Sequence, residues 1–171
     1  MKIRQLFEAF DSNYPISYEG DNGAVSKYKF ITDSNKPYYI YVQRMILGPV
    51  QRDFYEQSFG VQLADDIPDG IDYSFYQQDS DGSMRMRYNF NREMTTNKED
   101  SPMKIFSTAI DFAKKYLEKS GAAFMVFEGE EDLGGLYKVM IRRHLPREYV
   151  AYEQKSGKDM KFFIVRKEYI E

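Results

Sequence analysis

The chain has 171 residues, with 24 basic and 27 acidic side chains for a net charge of −3, and is 42% apolar and 16% aromatic. A chain of this length buries roughly 70% of the surface its unfolded form exposes, its apolar share excludes extended intrinsic disorder, and its acidic balance excludes an affinity for nucleic acid spread over the whole surface. With no cysteine present, disulfides, thiolate metal sites and a cysteine nucleophile are excluded, and an intracellular life is the easiest fit.

The apolar residues are unusual in kind: 15 Tyr and 13 Phe with no Trp. Aromatic side chains suit a half-buried pleated surface, so sheet is expected to be prominent. Residues 1–10 carry Lys2, Arg4 and Glu8 among apolar ones, a pattern unlike a signal peptide. No later segment approaches the roughly 20 apolar residues of a bilayer span. The expectation is a single cytoplasmic domain over 1–171 with no membrane partner.

In chain order, Leu6, Phe7 and Phe10 suggest one face of a short opening helix, and Tyr14 to Gly23 reads as loop. Val25 to Thr32 and Tyr38 to Leu47 then form a hairpin about Asp33-Ser34-Asn35-Lys36-Pro37, closed by Gly48-Pro49. Residues 50–69 have no strong period, although Phe54, Tyr55 and Phe59 fall at helical spacing. A second hairpin runs from Ile71 to Gln77 and from Met84 to Phe90, whose second arm alternates Met84, Met86, Tyr88 and Phe90 with Arg85, Arg87 and Asn89. Residues 1–100 are thus mainly strands and hairpins.

From 101 onward the expected order is helix, strand, helix, hairpin. Ser101 is a plausible N-cap, with Pro102 at the first helical position and Gly121 as the stop. Between them Ile105, Phe106, Ala109, Ile110, Phe112, Ala113, Tyr116 and Leu117 make a core stripe. Ala122 to Phe127 reads as a buried strand. A second helix starts near Asp132, burying Leu133, Leu136, Tyr137, Met140, Ile141 and Leu145, and ends at Pro146. Tyr149 to Gln154 and Met160 to Arg166 close the chain as a hairpin. The fold class is α+β, a mostly antiparallel mixed sheet with two packed helices, in which the strand at 84–90 lies parallel to that at 122–127.

This order, with Leu136-Tyr137 on the helix after the buried strand, resembles the GNAT acetyltransferase fold, most strongly over residues 84–166. The resemblance implies a tyrosine acid that protonates the departing thiolate of coenzyme A, and Tyr137 falls at that position. The family's glycine-bearing cofactor motif is missing: Asn91 to Met103 holds no glycine and carries Glu93, Glu99 and Asp100, which would repel a pyrophosphate. No cofactor is therefore expected. The segments 105–111, 136–143 and 162–166 are also similar to a pattern in small tailed-phage proteins, which implies a non-structural phage protein acting in the host cytoplasm.

The one histidine, His144, excludes multi-histidine metal sites, and at a helix end its cationic form simply favours the dipole. Lys138, Arg142, Arg143, His144 and Arg147 form a basic cluster with no acid inside it, to which Arg85 and Arg87 add if their strand exposes its polar side. Such a patch suits phosphates, nucleic acid or an acidic protein; the plainer reading is a solvated helix face. Glu128, Glu130, Glu131 and Asp132 stabilise the start of the second helix without any metal role. Asp79-Ser80-Asp81-Gly82-Ser83 lacks the closing glutamate of a calcium loop and is explained by a hairpin turn. The run Tyr38-Tyr39-Ile40-Tyr41 suits stacking on bases or peptides as well as ordinary strand packing. P-loop, nucleophile-elbow and dinucleotide fingerprints do not occur. Three functions remain open: a non-catalytic binding protein for a host protein or nucleic acid, in the manner of a phage accessory or counter-defence factor; an acyltransferase using Tyr137 with an atypical cofactor site; and a structural or scaffold protein.

Overall fold

The computed structural model describes residues 13–78, 84–85, 100–130 and 134–171. The elements are β1 (Ile16–Asp21), β2 (Val25–Ile31), β3 (Pro37–Met45), α1 (Pro49–Phe59), β4 (Gly70–Gln78), β5 (Met84–Arg85), α2 (Pro102–Ser120), β6 (Phe124–Glu130), α3 (Gly134–His144), β7 (Tyr149–Ser156) and β8 (Asp159–Arg166), then a 3-10 turn at Lys167–Tyr169. Seven strands pair in the order β1-β2-β3-β4-β6-β8-β7, and β5 attaches to β4 off that path. The β1–β2, β4–β5, β6–β8 and β7–β8 pairs are antiparallel and β4–β6 is parallel. The α+β class with a mixed, mostly antiparallel sheet is therefore as expected. The chain's contacts gather into two compact units, one of Met1–Tyr41 with Phe75–Ala113 and one of Val42–Ser74 with Lys114–Glu171. Strands β3 and β4 and helix α2 each contribute to both.

In the first unit, alternate residues of β2 separate the two faces. Tyr28 and Phe30 turn toward helix and core, where Tyr28 meets Phe112 at 4.7 Å and Phe30 stacks on Tyr14 and Tyr38 at 5.7 and 5.2 Å. Phe75 of β4 extends the stack, 5.9 Å from Phe30 and 5.6 Å from Tyr38. Helix α2 begins where Ser101 Oγ accepts the Lys104 amide at 3.3 Å, as its N-cap position requires. Thr108 on its buried side accepts the Tyr14 amide at 3.0 Å and donates to the Lys104 carbonyl at 2.7 Å, which ties the chain before β1 to the helix. Asp100, buried just before the helix, accepts from Thr32 Oγ1 at 2.8 Å, from the Ser34 amide at 2.9 Å and from the Ser34 hydroxyl. The carboxylate counted at the sequence level as a repulsive charge is thus the anchor of the β2–β3 turn.

In the second unit, β6 is buried on both faces. Phe124 and Val126 pack with Val61, Leu63, Phe163 and Val165, against which Tyr55 and Phe59 of α1 also lie. On the opposite face Phe127 stacks on Phe162 at 4.7 Å beneath Tyr137 of α3. Helix α2 stops at Gly121, whose φ of 65° lies in the left-handed region that glycine enters at little cost, and its amide closes on the Leu117 carbonyl at 3.0 Å. Helix α3 buries Tyr137, Met140 and Ile141, each contributing about 1.5–3 kcal/mol by leaving water.

Three sequence expectations change. Residues 16–21, read as loop, form β1, a mostly exposed edge strand whose polar sequence gives no apolar alternation. Three helices, not two, occur among the described residues: Gly48-Pro49, read as the close of a hairpin, also starts α1, because proline is favoured at the first helical position. The parallel partner of β6 is β4, with Ile71 opposite Met125 and Asp72 opposite Val126, and not the strand beginning at Met84. That strand pairs antiparallel with β4, so it runs opposite to β6. The second helix is described from Gly134, and Asp132, near which it was expected to start, lies outside the described residues. The opening helix and the strand residues 86–90 lie outside the described residues.

Candidate functional site at the end of helix α3

With Tyr137, Met140 and Ile141 turned inward, helical spacing directs Arg142 and Arg143 to solvent. Arg147, in the loop after the helix, is exposed as well. The backbone then brings in a cation that the sequence reading missed. Lys167, the first residue of the 3-10 turn after β8, donates its amide to the Glu148 carbonyl at 2.8 Å and its Nζ to the Arg147 carbonyl at 2.7 Å. Twenty residues separate Arg147 from Lys167, so only the β7–β8 pairing, which sets Tyr149 opposite Arg166, reveals their proximity.

Lys138 stands apart from this group. Its Nζ lies 2.6 Å from Glu153 on β7, so its charge is matched locally. Arg85 falls on β5, whose two residues pair with Gln77 and Gln78 in the strand ladder. Arg87 lies outside the described residues. His144 is half-buried and shares the last turn of α3 with Arg142 and Arg143, where cations meet the negative end of the helix dipole.

Tyr137 occupies a different position, buried behind the cations. Its ring meets Phe127 at 5.9 Å and Phe162 at 5.4 Å, both steeply inclined. It also fills the space where Gly129 of β6 has no side chain: a Cβ there would stand 2.3 Å from the ring. Burial, and then the neighbouring Tyr137, raise the Tyr73 hydroxyl far above the ordinary tyrosine range. On the other face of β4 and β6, desolvation by surrounding protein and the charge of Glu128 raise the Asp72 carboxyl, although its side chain still reaches solvent. Burial, followed by Asp72 and Glu128, raises Tyr55. Glu128, expected as part of an acidic run, pairs with Lys161 at 2.9 Å across the β6–β8 ladder.

Among the described residues there is no group of three or more His, Asp or Glu side chains placed to hold a metal ion. No described helix is long and apolar enough to cross a membrane. No protein-family model, curated protein or solved structure matches the chain.

Proposed function

We propose that this chain works by binding, holding an anionic partner, a host protein or nucleic acid, at Arg142, Arg143, Arg147 and Lys167. The observation that supports this reading is that Lys167 Nζ is held at the Arg147 carbonyl, three residues beyond the helix end. A helix dipole favours cations within its last turn, which accounts for Arg142 and Arg143 but not for Arg147 and Lys167 beyond it. Four exposed cations, drawn from a helix, a loop and the 3-10 turn after β8, suit an acidic surface or phosphates. On this reading the acetyltransferase-like order of elements is a scaffold, and the similarity to phage proteins makes the setting a host cytoplasm, with counter-defence as the role.

A second reading, acyl transfer with Tyr137 as acid, draws on one observation: Tyr137 sits beside Gly129 on the parallel-paired strand β6 and acts on Tyr73 of β4. On that reading the Tyr137 hydroxyl gives its proton to the departing thiolate.

Affinity capture from host lysate, with and without nuclease, separates the two. A partner held by the native chain and lost with Arg142→Glu/Arg143→Glu supports the first reading. Unchanged capture by that variant overturns it. Stabilisation by acetyl-coenzyme A together with acyl transfer that Tyr137→Phe abolishes would favour the second.

A further inference from the structure

The first unit carries a different surface, on the side of its sheet turned away from α2. The alternation that sends Tyr28 and Phe30 toward the helix places Lys27 and Lys29 on the opposite face of β2. On β3, Tyr38 and Ile40 are fully buried, so Tyr39 and Tyr41 share the lysine face. Lys27 Nζ stands 4.1 Å from the Tyr39 ring centre and 5.9 Å from that of Tyr41, and Lys29 Nζ is 5.7 Å from Tyr39. Tyr76 of β4 joins them, meeting Tyr41 edge-on at 5.6 Å. Lys27, Lys29, Tyr41 and Tyr76 are all half-buried, leaving part of each side chain to solvent, while Tyr39 forms the buried floor.

Among the described residues no ion pair takes up either ammonium. On the neighbouring strand Glu19 shares the lysine face, accepting at 3.2 Å from the hydroxyl of Ser17, which stands opposite Lys29, and Asp21 accepts from the Tyr18 hydroxyl and the Gly23 amide. Rings beneath two cations that form no ion pair among the described residues are not required by the core of this unit, which is built on the opposite face.

We infer that this face binds single-stranded nucleic acid, with bases laid against Tyr41 and Tyr76 and phosphates held by Lys27 and Lys29. The charge selects an anion, and the rings select among anions. An acidic peptide would satisfy the lysines but offer the tyrosines nothing planar to stack on, and a duplex hides its base faces. Lys27 and Lys29, two residues apart on one strand, lie about 7 Å apart along it, a row that follows an extended backbone. The inference uses none of the arginine group on α3 and does not rest on the function proposed for that group.

The test titrates the full chain into a labelled oligothymidylate and follows fluorescence anisotropy at about 50 to 200 mM salt. Two neutralised phosphates give a slope of log affinity on log salt of about −1.4. Lys27→Glu/Lys29→Glu should abolish that slope and the binding with it. Tyr41→Ala and Tyr76→Ala should each weaken binding about 5- to 150-fold with the slope kept, and Tyr41→Phe and Tyr76→Phe should each keep native affinity, because phenylalanine keeps the ring. Lys119→Glu/Lys158→Glu, at exposed cations outside both surfaces, should bind as the native chain does, which shows that the loss is not an effect of net charge. Circular dichroism of each variant confirms that it folds. No anisotropy change, equal affinity for all variants, or equal displacement by duplex DNA or a polyglutamate peptide would overturn the inference.

Discussion

In the unit containing β1 and β2, the rings of Tyr14, Phe30, Tyr38 and Phe75 lie nearly parallel, at 5° to 18° to one another, and polar groups hold them from the edges. In the unit containing β6 to β8, Tyr137 enters at about 60° to its neighbours, and what admits it is a missing side chain at Gly129. The first arrangement depends on hydrogen bonds reaching across the sequence, from Asp100 to the turn at Thr32 and Ser34 and from Thr108 to Tyr14. The second depends on volume. The first unit should therefore be sensitive to charge and pH, and the second to the addition of a single carbon.

The largest effect expected from this contrast is at Asp100. Replacing it with alanine strands the Thr32 hydroxyl and the Ser34 amide in a buried site, at a cost of about 3 kcal/mol, and denaturant unfolding measures it. Amide exchange should quicken at Ser34. If Asp100→Ala unfolds at the native midpoint, the carboxylate is not the anchor of this turn. Gly129→Ala is next, at about 2 kcal/mol, because the new Cβ must push the Tyr137 ring out of a filled space. Gly129→Ala combined with Tyr137→Leu should recover part of the loss, since the smaller side chain vacates the contact. An additive double variant would mean that the glycine serves some purpose other than admitting the ring.

How much of this could be read from the sequence follows the same division. Helix α2 was legible from end to end, because Ser101, Pro102 and Gly121 mark its limits and its apolar stripe faces a core. The β7–β8 hairpin was legible for a similar reason, with β8 burying Phe162, Phe163, Ile164 and Val165. Helix α1 was not, because none of its residues is fully buried and Val50 and Phe54 remain exposed; its stability comes from Tyr55 and Phe59 stacking on Phe163, a contact more than a hundred residues away in sequence. At the candidate site, Arg142 and Arg143 followed from helical period alone. Lys167 could not, since its place beside Arg147 is a product of strand register, and neither could the match of Lys138 to Glu153. The lysines and tyrosines of the first unit's open face were visible singly, but strand pairing was needed to show that they share one surface.

Smaller effects test the charge sensitivity directly. Tyr14→Phe removes the hydrogen bond that the hydroxyl donates to Asp33 at 3.2 Å, costing about 1 kcal/mol at neutral pH. Burial first, then the charges of Asp33 and Asp100, push the Tyr14 hydroxyl from 10.0 up to about 12. A raised folded-state value means that the folded protein retains the proton longer than the unfolded chain, so this contribution is complete below pH 10 and is lost as the pH rises toward 12. The native chain should accordingly lose stability more steeply than Tyr14→Phe across that interval, and parallel curves would show that the tyrosine is not linked to folding there.

Asp72 gives the smallest effect, and the sign is the informative part. Desolvation and Glu128 raise its carboxyl, so the folded state holds this proton more tightly than the unfolded chain and is favoured at acid pH relative to neutral. Asp72→Asn should raise the unfolding midpoint at neutral pH, and the gain should fade as the pH falls into the ordinary carboxylate range, where the native side chain is already protonated. Glu128→Gln should give a gain from the same repulsion, reduced by loss of the ion pair with Lys161. A destabilising Asp72→Asn would instead mean that the carboxylate is held by favourable contacts in its ionised form, and the second unit would then share the dependence on charge that otherwise marks the first.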